Sequence, residues 1–171
     1  YPVAYPDLLK GEIITSRESN TEAPNYYLVN FKKKKQVALT DFPDPYPGMK
    51  GVTKQVVEYT RNDGVKLSGT LFLPAGYKKE NGPLPVLIWA YPSEYKSSAN
   101  AGQRRDAPNQ FIRYTRTSPI LWVAEGYAVL NNASFPIIGE GEKEPNDTYV
   151  EQLVANAKAA VDKLVEMGVG D

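Results

Sequence analysis

The chain has 171 residues, 42% of them apolar, the content of a globular protein and enough for one ordinary domain or pieces of two. Lysine plus arginine equals aspartate plus glutamate at 20 each, so no net field steers the protein toward nucleic acid or an acidic membrane surface. It contains neither histidine nor cysteine, which excludes imidazole general bases, thiolate nucleophiles and the usual zinc ligands from this stretch of polypeptide.

Without cysteine the fold does not lean on disulfides, and no apolar run reaches the roughly 18 residues of a membrane span. Tyr1 to Lys10 lacks the basic start and apolar centre of a signal peptide, and an initial Tyr1 in place of methionine suggests a processed or excised piece.

The first predicted elements are three short strands, Glu12 to Arg17, Tyr26 to Phe31 and Gln36 to Leu39, separated by polar stretches at 18–25 and 32–35. They form an antiparallel meander with too few apolar positions to bury a core alone, so the segment is expected to belong to a larger all-β unit. Pro43, Pro45 and Pro47 stand at alternate positions, which favours an extended connection, and the domain boundary is expected there.

Beyond the boundary, Val52 to Thr60 and Val65 to Leu73 flank Arg61-Asn62-Asp63-Gly64, whose Asp-Gly supplies the positive φ of a tight hairpin. Val65, Leu67, Leu71 and Leu73 share one face of the second arm. The run from Pro85 to Tyr91 is apolar on both faces, as for a central strand covered by helices on both sides. A helix is predicted over Ser118 to Glu125, stopped at Gly126, followed by a buried strand from Tyr127 to Asn131. Val150, Leu153, Val154, Ala157, Val161, Leu164 and Val165 recur at helical spacing, giving an amphipathic helix started by a capping box from Thr148 to Glu151 and ended by Gly168. Hairpin, strand, helix, strand, helix is the opening of an α/β sheet with a crossover.

This order resembles the junction between propeller and hydrolase domain in the prolyl oligopeptidase family of serine peptidases. The blocks 39–47 (Leu-Thr-Asp-Phe-Pro-Asp-Pro-Tyr-Pro), 83–92 (Pro-Leu-Pro-Val-Leu-Ile-Trp-Ala-Tyr-Pro), 136–142 (Pro-Ile-Ile-Gly-Glu-Gly-Glu) and 149–154 (Tyr-Val-Glu-Gln-Leu-Val) are similar to its glutamyl endopeptidase branch. The resemblance implies the last part of a β-propeller over residues 1–46 and the first half of an α/β-hydrolase domain over 47–171, stopping before the nucleophile. It implies a parent that hydrolyses peptide bonds after glutamate through a Ser-His-Asp triad, without a cofactor or metal. The Gly-x-Ser-x-Gly elbow is missing and the chain has no histidine, so the piece by itself is expected to be inactive.

In that family a tyrosine at the end of the corresponding strand helps form the oxyanion hole, and the resemblance gives that role to Tyr91. Arg105, in the loop 101–106, falls where the resemblance places an arginine suited to a substrate glutamate, though a solvated pair with Arg104 bridged to Asp106 is the commoner fate of such a loop. Expected partners are peptide substrates of the parent and the remainder of the same polypeptide or another copy, since the strand ending at Tyr91 would lie between the strand at Tyr127 and one following Asp171. A periplasmic or organellar compartment is favoured over the cytoplasm.

Other groups read more simply. Glu140, Glu142, Glu144 and Asp147 could suggest a hard-cation site, but their spacing is not that of an EF-hand and a solvated loop before a helix is expected. Lys32 to Lys35 reads as a charged turn. Ser93, Ser97 and Ser98 lack a candidate histidine base and are not nucleophiles. Trp89, Phe111, Tyr114 and Trp122 could line a ligand pocket, though core burial is the commoner fate. A non-catalytic binding or interaction module with the same pattern is the alternative, for which the absence of histidine would be the natural state.

Overall fold

The computed structural model describes residues 1–102 and 107–170. Backbone proximity divides the chain into two compact units, one formed by residues 1–50 with 109–113 and the other by 51–108 with 114–171.

In the first unit, β1 (Pro2–Asp7), β2 (Glu12–Arg17), β3 (Asn25–Asn30) and β4 (Lys35–Ala38) form an antiparallel meander in chain order. Strand β1 was not anticipated: Pro2 and Pro6 interrupt its pattern, and proline is tolerated there because β1 is an edge strand. The predicted lysine turn is present, with Lys34 in a left-handed conformation (φ 51°) and Lys33 N–H donating to Asn30 Oδ1. Asn25 anchors the approach to the proline-rich stretch, its Oδ1 accepting from Thr40 Oγ1 and Phe42 N, both at 2.7 Å. Of residues 1–50 only Gly11 and Asn30 are buried, while Val3, Tyr5, Leu9, Phe31 and Val37 are exposed. A sheet this poorly covered gains little from apolar burial, as the sparse apolar pattern implied.

The second unit is built on a four-stranded mixed sheet of order β5-β6-β8-β7, from β5 (Thr53–Thr60), β6 (Lys66–Leu73), β7 (Val86–Tyr95) and β8 (Ala128–Ile138). The β5–β6 hairpin pairs in continuous register from Thr53↔Leu73 to Thr60↔Lys66, around Gly64 at φ 89°. β6 is antiparallel to β8, whereas β7 and β8 are parallel. Helix α2 (Tyr149–Glu166) covers one face with Ala160 and Leu164, which join Val57, Tyr59, Leu67, Leu71 and Leu130 in the core. Complete burial of side chains such as Leu71 and Leu130 is worth about 1.5–3 kcal/mol each.

Several local expectations are corrected. The segment Pro119–Glu125 is a 3-10 helix, not an α-helix; Pro119 and the left-handed Gly126 (φ 86°) leave room for barely two turns. The capping box lies one turn before its predicted place. Glu144 and Asp147 form it around the 3-10 turn Pro145–Thr148, while Thr148, the N-cap of α2, makes no capping bond and accepts instead from Gln152 Nε2. Strand β7 is half-exposed and, among the described residues, has β8 as its strand neighbour.

Strand β8 runs seven residues past its predicted end at Asn131. Ile88 pairs with Leu130 but Ala90 pairs with Ala133, so β8 holds one extra residue, with Asn132 in a left-handed conformation (φ 51°). Gly69 of β6 lies against this bulge. A Cβ there would meet Leu130 Cδ1 at 2.8 Å and Ala133 Cα at 3.3 Å, so the close approach of β6 and β8 requires glycine.

Candidate active site

The ends of β7 and β8 define the edge of the sheet where α/β proteins bind ligands. Tyr91 lies on β7 opposite Ser134 and is 85% exposed. Beside it β6 and β8 separate after Asn131, leaving a cleft of about 290 Å³ lined by Ser68, Thr70, Tyr91, Ser93, Asn132 and Ser134, among others. Ser134 Oγ accepts from Ser68 N at 3.3 Å, tying the separating strands at that level. The side chains named bring hydroxyls and an amide but no charge, a lining suited to neutral polar groups such as peptide backbone.

A buried polar cluster stands next to this cleft and was not foreseen. Arg61, in the hairpin turn, is 3% exposed, and all five of its N–H donors are used. Nε and Nη2 donate to the Asp63 carboxylate at 2.9 and 2.7 Å, Nη1 donates to Asn156 Oδ1 at 2.9 Å and Pro136 O at 3.2 Å, and Nη2 donates to Gln152 Oε1 at 3.2 Å. The guanidinium holds the Asp63 carboxyl below the usual aspartate range. Asn156, fully buried on α2, also donates to Pro136 O at 2.9 Å. Gln152 accepts from Ile138 N and donates to Ile138 O, both at 2.9 Å. The readable signal was Asn156, a polar residue four positions before Ala160 on the face of α2 that is otherwise apolar.

The remaining candidates have ordinary roles or are separated. Ser97 caps the short helix α1 (Ser98–Ala101), accepting from Asn100 N, and Ser98 lowers the pKa of the Glu140 carboxyl through its side-chain hydroxyl and its backbone N–H, which donates at 2.8 Å. Glu144 pairs with Lys96 at 2.6 Å in addition to its capping bond. Among the described residues no three carboxylates, histidines or cysteines are grouped as metal ligands would be. Phe111 is buried in the first unit and stacks on Tyr46 at 6.4 Å, Trp89 is half-exposed on β7, and Trp122 packs edge-on against Tyr127 at 5.2 Å. Arg105 lies outside the described residues.

No family model matches the sequence. Solved structures match in fold. A Bacteroides ovatus protein described as a dipeptidyl aminopeptidase IV aligns over 94% of this chain and 22% of its own, with a TM-score of 0.58 and 16% identity. An isopeptidase with a bound astexin-3 derivative aligns over 94% of this chain and 24% of its own, with a TM-score of 0.56 and 16% identity. Pyrococcus horikoshii acylaminoacyl peptidase aligns over the same shares with a TM-score of 0.52, also at 16% identity. The chain thus shares its mixed α/β fold with a segment of each of these peptidases.

Sequence narrows this further. The chain is 52% identical over 163 residues to an Oryza sativa subsp. japonica protein described as "Probable glutamyl endopeptidase, chloroplastic", and 48% identical over 161 residues to one of the same description from Arabidopsis thaliana. It is therefore homologous to a segment of these two plant proteins. The matches cover 95% and 94% of this chain but 17% of each relative, so the chain spans about one-sixth of their length.

Proposed function

We propose that these 171 residues are a segment of a serine peptidase that cleaves peptide bonds after glutamate, and that they are inactive alone. The observation that carries this reading is the 52% identity to a glutamyl endopeptidase across almost the whole chain. With no histidine in the segment, the Ser-His-Asp triad belongs to the rest of the polypeptide. The serine attacks the scissile carbonyl, the histidine takes the hydroxyl proton and passes it to the leaving amine, and water then releases the acyl group. No cofactor is required for this sequence of steps.

Within this scheme residues 1–46 are the end of the propeller and 47–171 the first half of the hydrolase domain. Tyr91, an exposed phenol in the carboxyl half of β7 and not at its predicted end, supplies one donor of the oxyanion hole. Arg105 pairs with the substrate glutamate. Among the described residues β7 has β8 on one side only, and its other edge receives a strand from the remainder of the polypeptide or from another copy. The chloroplastic description of both relatives favours an organellar compartment; no helix among the described residues is long and apolar enough to cross a membrane.

The test is Tyr91→Phe in the full-length polypeptide. Loss of one oxyanion donor lowers kcat about 10²–10³-fold with little change in KM. An unchanged kcat would remove Tyr91 from the mechanism, and an unchanged preference for glutamate in Arg105→Ala would remove the proposed glutamate contact.

A further inference from the structure

The carboxyl end of β8 is held in an unusual way. Its lower part is flanked on both sides, by β6 up to Asn131 and by β7 throughout. Beyond Asn131 the β6 side no longer has a strand. Side chains take its place: the Gln152 amide receives Ile138 N–H and donates to Ile138 C=O, as a neighbouring strand would, while Pro136 C=O accepts from both Asn156 and Arg61. Gln152 and Asn156 are one turn apart on α2, and Arg61 ties both to the hairpin turn while Asp63 neutralises it. Such a network fixes geometry most strongly at its buried members, Arg61 and Asn156, each of which would carry a large penalty if left without its partner.

We infer that Arg61, Gln152 and Asn156 are positioning residues that set the height and orientation of Tyr91, an inference that rests on Tyr91 acting in the oxyanion hole. The path is one strand wide. Pro136 pairs with Ser93 and Ile138 with Tyr95, two and four residues beyond Tyr91, and Gly139 N donates to Tyr95 O at 3.0 Å. Since β8 is the strand neighbour of β7 in this sheet, whatever fixes the upper end of β8 fixes that of β7. The left-handed Asn132 bulge sits between Ile88↔Leu130 and Ala90↔Ala133, just below Tyr91↔Ser134. Register at the level of Tyr91 is therefore reset after the bulge and secured from above by the cluster. A displacement on the order of 1 Å at a reacting group costs up to about 100-fold in rate.

The test is a double-mutant cycle in the full-length polypeptide with Gln152→Ala and Tyr91→Phe, read as kcat and KM on a peptide containing glutamate. Gln152→Ala alone is expected to lower kcat about 10- to 100-fold with KM nearly unchanged, and to accelerate hydrogen exchange at the Ile138 amide. In the Tyr91→Phe background the same substitution is expected to cost less than threefold, because the residue through which it acts is gone. Arg61→Lys, which keeps the charge but not the five-donor fork, should behave like Gln152→Ala; if either variant fails to fold, the other completes the cycle. An unchanged kcat in a folded clamp variant with altered Ile138 exchange, or full additivity with Tyr91→Phe, would overturn the inference while leaving the role of Tyr91 intact. A silent Tyr91→Phe would remove both.

Discussion

Replacing Tyr59 by phenylalanine isolates a single unsatisfied atom. The Tyr59 ring packs in the core with Val57, Leu67, Ala160 and Leu164, is 8% exposed, and its hydroxyl is buried with no hydrogen-bond partner among the described residues. An unpaired buried hydroxyl costs about 1–3 kcal/mol, so Tyr59→Phe should stabilise the fold by about 1 kcal/mol or more, whereas deleting a hydrogen-bonded hydroxyl usually costs about that much. Burial also pushes the phenol up to about 12. Against an unfolded value of about 10, that corresponds to about 3 kcal/mol at ~1.36 kcal/mol per pKa step. The sign follows from which state binds the proton more tightly. The folded state does, so this contribution is complete below about pH 10 and is lost as pH rises toward 12. Urea titrations at low micromolar concentration, followed by Trp89 and Trp122 fluorescence, would be run on both proteins from pH 7 to pH 11.5. The difference between the two curves cancels the other tyrosines and the lysines and should widen above pH 10 in favour of the variant. A variant destabilised by 1 kcal/mol or more at pH 7, or curves that stay parallel to pH 11.5, would refute the reasoning.

Three further outcomes are expected. Gly69→Ala forces a Cβ to 2.8 Å from Leu130 Cδ1 and should destabilise the chain by about 1–3 kcal/mol in the same titration; adding Leu130→Val, which removes a methylene from the crowded side chain, should restore part of it. Asp63 is held below the usual aspartate range, chiefly by its bond to Arg61, so its contribution is present above about pH 4 and lost as pH falls through its depressed folded pKa. Its side chain is half-exposed, which limits the effect to less than about 1 kcal/mol, and Asp63→Asn should flatten the acid limb of the stability curve by that amount. The free edge of β7 should make the isolated chain self-associate in sedimentation velocity, and a monodisperse, cooperatively melting monomer would count against an edge that needs a partner.

Local signals in the sequence were reliable where one physical requirement dominated. Asp63-Gly64 located the β5–β6 hairpin because few dipeptides supply its positive φ, and β2 has its predicted bounds at both ends. The apolar repeat located α2, but its start was misplaced: the acidic pair that caps the chain acts at Glu144 and Asp147, ahead of a separate 3-10 turn. Two elements ran past their predicted ends for the same reason. Asn131-Asn132 in β8 reads as a break but forms a bulge, and Pro92 in β7 reads as a terminator but lies in a strand with an open edge. Tyr91 was legible through family resemblance, not through its own surroundings. The Arg61 cluster was not, because its partners come from turn, strand and helix, up to 95 positions apart, and only the fold brings them together.

The most direct measurement is hydrolysis of a mixed peptide library, read by mass spectrometry, with the 171-residue chain and the full-length polypeptide that contains it assayed side by side. The account predicts cleavage after glutamate by the full-length protein and none by the 171 residues alone. Cleavage by the isolated chain, or a full-length protein that leaves every peptide intact, would contradict it.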